Sequence, residues 1–299
     1  MLGHKIFQTL VSAGIDARCT IHGSLAKSAV AALSAFEEGR VIQNVDVLDI
    51  DHLRKVVIDL KPSIIVNCIG VIKQRSAATS PIPSLKINSL LPHELANTCE
   101  QWNGRLIHFS TDCVFSGRRG NYVEGDPSDA EDLYGKTKFL GEVAASNALT
   151  LRTSIIGREL SEHRSLLDWF LAQRGSRVRG FRRVIYSGIT TTEMARLVAN
   201  LITNHPELSG LYQVVSTPIS KYDLLVLLRE AYGLEVEIVP DDNENSDRSM
   251  SGAKFFAATG WKSPEWQQLV HDLASDTTPY DDIAAHAVAD ANRHHGDRS

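Results

Sequence analysis

Through its first half the chain alternates short apolar runs rich in β-branched residues with longer stretches of helical periodicity, and this alternation restricts the fold more than any other feature. A strand that is apolar along its whole length needs cover on both faces, which helices inserted between successive strands supply. The runs fall at 16–21, 63–68, 105–110 and 149–153, and the helical stretches at 4–13, 25–38, 52–60, 85–101 and 132–145. Gly14 stands where the first helix should stop, as suits a residue that accepts positive φ. The expectation is an α/β fold built on a doubly wound parallel sheet.

After Arg152-Thr153-Ser154 the regular alternation ends. Helical candidates at 166–173, 192–203, 221–232 and 264–273 are separated by longer irregular pieces. A boundary near residue 156 is expected, with one domain over 1–156 and a smaller one over 157–274. From residue 275 apolar periodicity fades, as in Asp276-Thr277-Thr278-Pro279 and His294-His295-Gly296-Asp297, so 275–299 is expected to be a flexible tail.

At 299 residues and 43% hydrophobic content the chain can bury a large core. Its net charge of -5 sets up no general attraction for nucleic acid or anionic lipid, so neither is an expected partner. The local exception is the cluster Arg174, Arg177, Arg179, Arg182 and Arg183, which suits a solvated face or a contact to a diphosphate or other anion. Cys19, Cys68, Cys99 and Cys113 are widely spaced and suggest neither a zinc site nor a disulfide framework. No apolar stretch approaches the roughly 20 residues of a membrane helix, and the first residues lack a signal pattern. A cytoplasmic protein with no membrane partner is expected. Asp241-Asp242-Asn243-Glu244-Asn245 opens like a calcium loop, but Ser246 replaces the glycine and Gly252 the bidentate glutamate, so an acidic loop and no metal is the reading.

The chemistry concentrates in Tyr134-Gly135-Lys136-Thr137-Lys138 at the start of a predicted helix. Residues four apart share a helical face, so the Lys138 ammonium can lie near the Tyr134 hydroxyl or near a ligand that both touch. A neighbouring cation favours phenolate and would draw the tyrosine pKa down from about 10, preparing a proton donor for a carbonyl oxygen. About two dozen residues earlier, the strand 105–110 delivers Ser110-Thr111-Asp112 to its carboxyl end, where open α/β sheets bind ligands. The preceding strand ends in Cys68-Ile69-Gly70, small enough for a flat ligand to approach the backbone.

The run Ser110-Thr111-Asp112-Cys113-Val114-Phe115-Ser116-Gly117, then Tyr134 to Lys138 and Gly141-Glu142, resembles the extended short-chain dehydrogenase/reductase family, and within it the dTDP-4-dehydrorhamnose reductases. The resemblance is dense to about Gly157 and looser beyond. It implies a Rossmann-like dinucleotide-binding domain followed by a substrate-binding domain, with NADP or NAD as cofactor. It also implies reduction of the keto group of a nucleotide-linked 4-keto-6-deoxysugar, in polysaccharide biosynthesis. Thr111, Tyr134 and Lys138 match the family's catalytic set, the lysine also holding the nicotinamide ribose. Asn88 matches a helix asparagine that supports the site, or serves as a packing asparagine. Cys113 stands where the family's dehydratases carry a proton-abstracting glutamate, which favours simple reduction.

The amino end departs from this pattern. The family begins with a strand and a glycine-rich turn that receives the cofactor pyrophosphate, whereas Met1-Leu2-Gly3-His4 resembles only the last glycine of that turn. The first strand is thus expected to be missing from the numbered sequence, through a start assigned downstream or through truncation, and Leu2 and Gly3 are the expected remnants. Arg18, or His22, is placed to accept a 2′-phosphate, so NADP is preferred; Asp46 and Val47 match residues beside the adenine, and Cys68, Ile69 and Gly70 line the cofactor's path. Ser110, Thr111 and Arg248 are the expected substrate contacts, with Ser187 to Thr191 in the pocket region or merely starting a helix. Two alternatives stay open: an epimerase of the same fold, and a non-catalytic subunit like the regulatory beta subunit of methionine adenosyltransferase. A homodimer is one assembly this reading allows.

Overall fold

In the computed structural model, which describes residues 1–71, 80–161 and 163–283, the chain opens on helix α1 (Leu2–Ser12), which buries Ile6, Phe7 and Leu10. Gly14, at φ +74°, follows its end as predicted. Strand β1 (Cys19–Thr20) pairs in parallel with β2 (Val41–Ile42). The helix predicted at 25–38 is not formed. Three short 3-10 turns at Leu25–Lys27, Ala29–Ala32 and Glu38–Arg40 replace it. Ser28 is extended and its hydroxyl accepts from the Val30 N–H, a local bond that competes with helical continuation.

Helix α2 (Ile50–Leu60), capped by Asp49, leads into β3 (Ile64–Asn67). Then come α3 (Pro81–Ser84), a π-helical segment (Leu85–Leu90) and α4 (Leu91–Glu100). Strand β4 (Arg105–Thr111), helix α5 (Leu133–Leu140) and strand β5 (Ala148–Thr153) complete the first half. The second half runs β6 (Ile155–Ile156), α6 (Leu166–Leu171), β7 (Arg177–Phe181), β8 (Val184–Tyr186), β9 (Ile189–Thr190), α7 (Thr191–Asn204), β10 (Gly210–Gln213) and β11 (Ile219–Ser220). It closes with α8 (Lys221–Ala231), β12 (Glu237–Asp241), β13 (Ser246–Asp247), α9 (Ala253–Thr259) and α10 (Trp266–Ala274).

The main sheet is parallel, in the order β10-β5-β4-β3, while β1 and β2 form a separate pair. A doubly wound sheet of order 3-2-1-4-5-6 would seat one more strand between β1 and β3. Among the described residues no strand joins β1 to β3. One face of the main sheet is covered by α1 and α7, which join Ile107, Phe109, Leu149 and Leu151 in one cluster. The other face is covered by α2 and α4 through Leu53, Val57, Leu91 and Leu95 against Leu106 and Ala148.

Residues beyond 156 contribute to two cores. A second core joins α6, α8 and α10 to β7, β8 and β12 through Leu167, Phe170, Leu224, Leu228, Trp266 and Leu269. Between its parts the chain returns to the first layer: α7 packs on α1, and β10 extends the main sheet beside β5. The reason is physical, since β5 would otherwise be an open parallel edge and α1 would lack an apolar partner. The arginine cluster is also explained within this unit. β7 pairs with β12, and Arg179 reaches Asp241 at 3.2 Å, Arg177 reaches Glu237 at 3.3 Å, and Arg182 pairs with Asp242. Three of the five arginines thus meet acidic partners on β12 or just after it.

The segment expected to be loose from residue 275 is docked as far as Ile283; 284–299 lie outside the described residues. Lys5 donates to Asp276 at 2.7 Å in a pair shielded from solvent. Tyr280 and Ile283 enter a cluster with Phe7, Leu33, Phe36, Val41 and Leu160. The Tyr280 hydroxyl lies 3.0 Å from Nε2 of His4, whose imidazole burial holds neutral by lowering its pKa to about 3. Too few apolar residues separate these anchors for periodicity to reveal them. Tyr280→Ala is expected to cost about 3 kcal/mol, in line with other buried aromatic truncations, in urea unfolding; a loss below about 1 kcal/mol would show that the segment does not hold α1.

Candidate functional site

Strand β4 ends at Thr111, and the chain turns at once through the 3-10 turn Asp112–Val114. The Thr111 hydroxyl accepts from the Cys113 N–H at 3.2 Å and donates to Asp112 at 3.1 Å. Helix α5 starts against this turn, capped by the Asp132 carboxylate, which accepts from the Gly135 N–H at 2.7 Å. Only glycine fits at 135, because a Cβ there would stand 2.2 Å from the Cys113 carbonyl oxygen. Gly141 does the same at the other end of α5, where a Cβ would lie 1.9 Å from the Asn88 carbonyl oxygen. The helix is thereby wedged between the end of β4 and the segment Leu85–Leu90, with no freedom to slide.

This wedge seats the Tyr134 phenol beside the Thr111 side chain. One turn on, the buried Lys138 ammonium donates to the Phe109 carbonyl at 2.5 Å. Burial pushes the Tyr134 phenol well above its ordinary pKa, and Cys113, Asp112 and Asp132 push the same way, opposed by the Thr111 contact. The expected lowering of that pKa by Lys138 is therefore corrected: the charges acting on the phenol are acidic groups, and the hydroxyl keeps its proton. Burial lowers Lys138 to about 8, partly offset by Glu142. Asp112 is raised by burial, against Arg248 above all.

Ser110 does not join Thr111. Successive strand residues point to opposite faces, and the Ser110 hydroxyl donates to Glu142 at 2.6 Å. Glu142 also accepts from Arg152 at 2.9 and 2.7 Å, a pair with both side chains buried. The expected substrate contact at Ser110 is thus a structural one. The Glu142–Arg152 pair itself escaped sequence reasoning, although Gly141-Glu142 was part of the motif. Arg248 does reach the site, donating from Nε to the Phe115 carbonyl at 3.0 Å beside a cleft lined by Cys113, Phe115 and Asp132. Ser187 accepts from the Met250 N–H and Thr190 caps α7, so this stretch builds structure.

On the other side of Tyr134 the cofactor candidates divide. Gly3 in the first turn of α1 closes on the end of β3, where a Cβ would lie 3.3 Å from that of Cys68. Asn88 accepts from the Val71 N–H at 2.8 Å and donates to the Val71 carbonyl and to Thr137, which ties the loop Cys68-Ile69-Gly70 to the helix carrying Lys138. Gly70 lies against the same amide, and Ile69 is held by Asn67. Arg18 is exposed and precedes β1, at the wrong end of the strand for a ligand site; His22 follows β1 and lies 3.8 Å from Asp46. Val47 packs against the core under α2. The close approach at Gly3, the open backbone at Ile69-Gly70 and the Lys138 ammonium suit a dinucleotide.

The fold is that of the extended short-chain dehydrogenase/reductase class. More narrowly, the family model of the RmlD substrate binding domain matches residues 18–278, and the chain belongs to that family. It is 28% identical over 155 residues to a dTDP-4-dehydrorhamnose reductase of Burkholderia thailandensis, covering 50% of this chain and 46% of that one. Identity is 34% over 131 residues to a dTDP-4-keto-6-deoxy-D-glucose reductase of Streptomyces niveus, covering 42% and 46%. The matched part therefore spans under half of these relatives' length. The crystal structure of a dTDP-4-dehydrorhamnose reductase from Bacillus anthracis in complex with NADP shares the fold at a TM-score of 0.70, with 18% identity over 86% of this chain and 98% of that one.

A charge buried at Lys138 weakens the fold whenever it is protonated. Below pH 8 the folded state carries that charge; between about 8 and the ordinary 10.5 only the unfolded chain does, so the penalty fades as pH rises. Lys138→Met is expected to raise the thermal midpoint more at pH 7 than at pH 10, read by circular dichroism. An equal change at both would mean the ammonium is not buried.

Proposed function

We propose that this chain is an NAD(P)H-dependent reductase of the keto group of a nucleotide-linked 4-keto-6-deoxysugar. The observation that carries the reading is the meeting of Thr111, Tyr134 and Lys138 at the carboxyl end of β4. Lys138, the Cys68-Ile69-Gly70 loop and the first turn of α1 would hold a nicotinamide dinucleotide, which would supply the hydride. Tyr134 supplies the proton. A phenol held protonated by its surroundings is in the correct state to donate, and it releases its proton only as negative charge grows on the carbonyl oxygen. Thr111 binds that oxygen, and Lys138 orients the ribose and offsets the charge left on Tyr134.

Cys113 supports reduction over dehydration, since a thiol does not replace the proton-abstracting glutamate that the family's dehydratases carry at that position. Names of relatives agree in kind, being reductases of dTDP-linked keto sugars. With Arg18 at the wrong end of β1, the preference for NADP rests on His22. Among the described residues no helix is long and apolar enough to cross a membrane.

The test is titration of the purified chain with NADPH and NADH, followed by nicotinamide fluorescence, then turnover of a dTDP-4-keto-6-deoxysugar. Tyr134→Phe is expected to keep cofactor affinity and lose turnover by about 10²–10⁴-fold, the range for a lost general acid, while Lys138→Ala weakens both. Undiminished turnover in Tyr134→Phe would remove the proposed acid. Binding of neither nucleotide would point instead to a non-catalytic subunit.

A further inference from the structure

The ion pair of Glu142 and Arg152 has no step in the proposed chemistry, yet Glu142 follows Lys138 by one helical turn, just past the end of α5. The two side chains are clipped to successive residues of β4. The Lys138 ammonium donates to the Phe109 carbonyl at 2.5 Å, and the Glu142 carboxylate accepts from the Ser110 hydroxyl at 2.6 Å. Arg152 fixes that carboxylate from the other side through Nε and Nη2, at 2.9 and 2.7 Å, and is itself stacked over the Phe115 ring.

A buried ion pair adds little net stability over apolar side chains of the same volume. Here the partners are 1% and 8% exposed, so both are almost fully desolvated. Stability is thus a weak reason for the pair, and its neighbour supplies a stronger one. Lys138 is also withdrawn from water, which favours the neutral amine, whereas an ammonium makes the stronger hydrogen bond to a ribose. The Glu142 carboxylate acts against that loss of charge.

The other titratable groups around Lys138 do not do so. On β4, His108 is fully buried and neutral, its Nδ1 accepting from the Asn67 amide. Within α5, Tyr134 keeps its proton. Asp112 and Asp132 act on that phenol, at the opposite end of the helix. From α4, His93 bonds the Leu140 carbonyl, and Lys86 in the π-helical segment is exposed. Arg152, on β5, has the wrong sign.

We propose that Glu142 is a positioning residue for Lys138: clamped by Ser110 and Arg152, its carboxylate keeps the buried lysine an ammonium and so able to hold the cofactor. The role it serves is the one Lys138 has in the proposed reductase site. Among the described residues the two side chains share no hydrogen bond, so the charge acts through space, where burial strengthens it and limits screening by salt.

The test reads Lys138 directly. In the full chain labelled with carbon-13 lysine, the ε-carbon resonance of Lys138, identified by its loss in Lys138→Met, is followed by NMR against pH. Wild type is expected to titrate near 8. Glu142→Gln/Arg152→Met, which removes both charges and strands neither, is expected to lower the midpoint by about one pH unit, the lesser effect of losing a nearby opposite charge. NADPH affinity at pH 8 then falls about fivefold, as the charged fraction drops from about a half to about a tenth. Arg152→Met keeps the carboxylate and is expected to leave the midpoint at or above that of wild type. Glu142→Gln, expected to lower it, serves if the double variant does not fold by circular dichroism. A midpoint unchanged in the variants that lack Glu142, or lowered as far in Arg152→Met, overturns the proposal. The reductase reading fails by other results, binding of neither nucleotide or undiminished turnover in Tyr134→Phe, and neither of these moves the Lys138 midpoint.

Discussion

Strand β4 has strands on both sides and helices over both faces, so every side chain from Leu106 to Thr111 must find its partners inside the protein. The apolar members do so by alternating between the two core clusters. The polar members are matched singly: His108 with the Asn67 amide at 3.2 Å, Ser110 with Glu142 at 2.6 Å, Thr111 with Asp112 at 3.1 Å. Ser110 brings a buried ion pair with it, because Glu142 is held by Arg152, itself stacked over the Phe115 ring at 4.9 Å. Removing one partner of such a pair strands a charge in apolar surroundings, typically at about 3–5 kcal/mol. A strand fixed this rigidly can present Thr111 to the site with little positional error.

The same burial sets the chemistry. Tyr134 stays protonated and Lys138 moves toward neutrality for one cause, the loss of water around both. Cation and phenol do not need to act on each other for each to be suited to its part. The Lys138 ammonium is buried along with its stem and donates to one carbonyl, that of Phe109. The second half of the chain obeys another rule. Its arginine-rich strand pairs with an acidic strand, while Lys221 and Arg248 lie near Asp112.

Expectations failed where the deciding contacts were remote or local bonding overruled periodicity. The stretch 25–38 reads as helical by its alanines and leucine, yet the Ser28 hydroxyl bonds to the backbone there and the stretch is broken into turns. Residues 276–283 look polar and loose, but Lys5 and His4, more than 270 positions away, give them partners. Arg18 fell at the wrong end of its strand because the strand proved to be two residues long.

What the amino-acid sequence determined by itself was the alternation that makes a covered parallel sheet and the Tyr134-to-Lys138 spacing. Each is local, set by strand alternation or helix periodicity. The tertiary structure alone decided that Ser110 serves Glu142, that α7 and β10 return to the first layer, and that Lys221 meets Asp112. Those pairings join residues 32 to more than 100 positions apart, and no local propensity carries information across such separations; closure of the core selects them, because each buried polar group must find an acceptor, a donor or a countercharge somewhere in the packed chain.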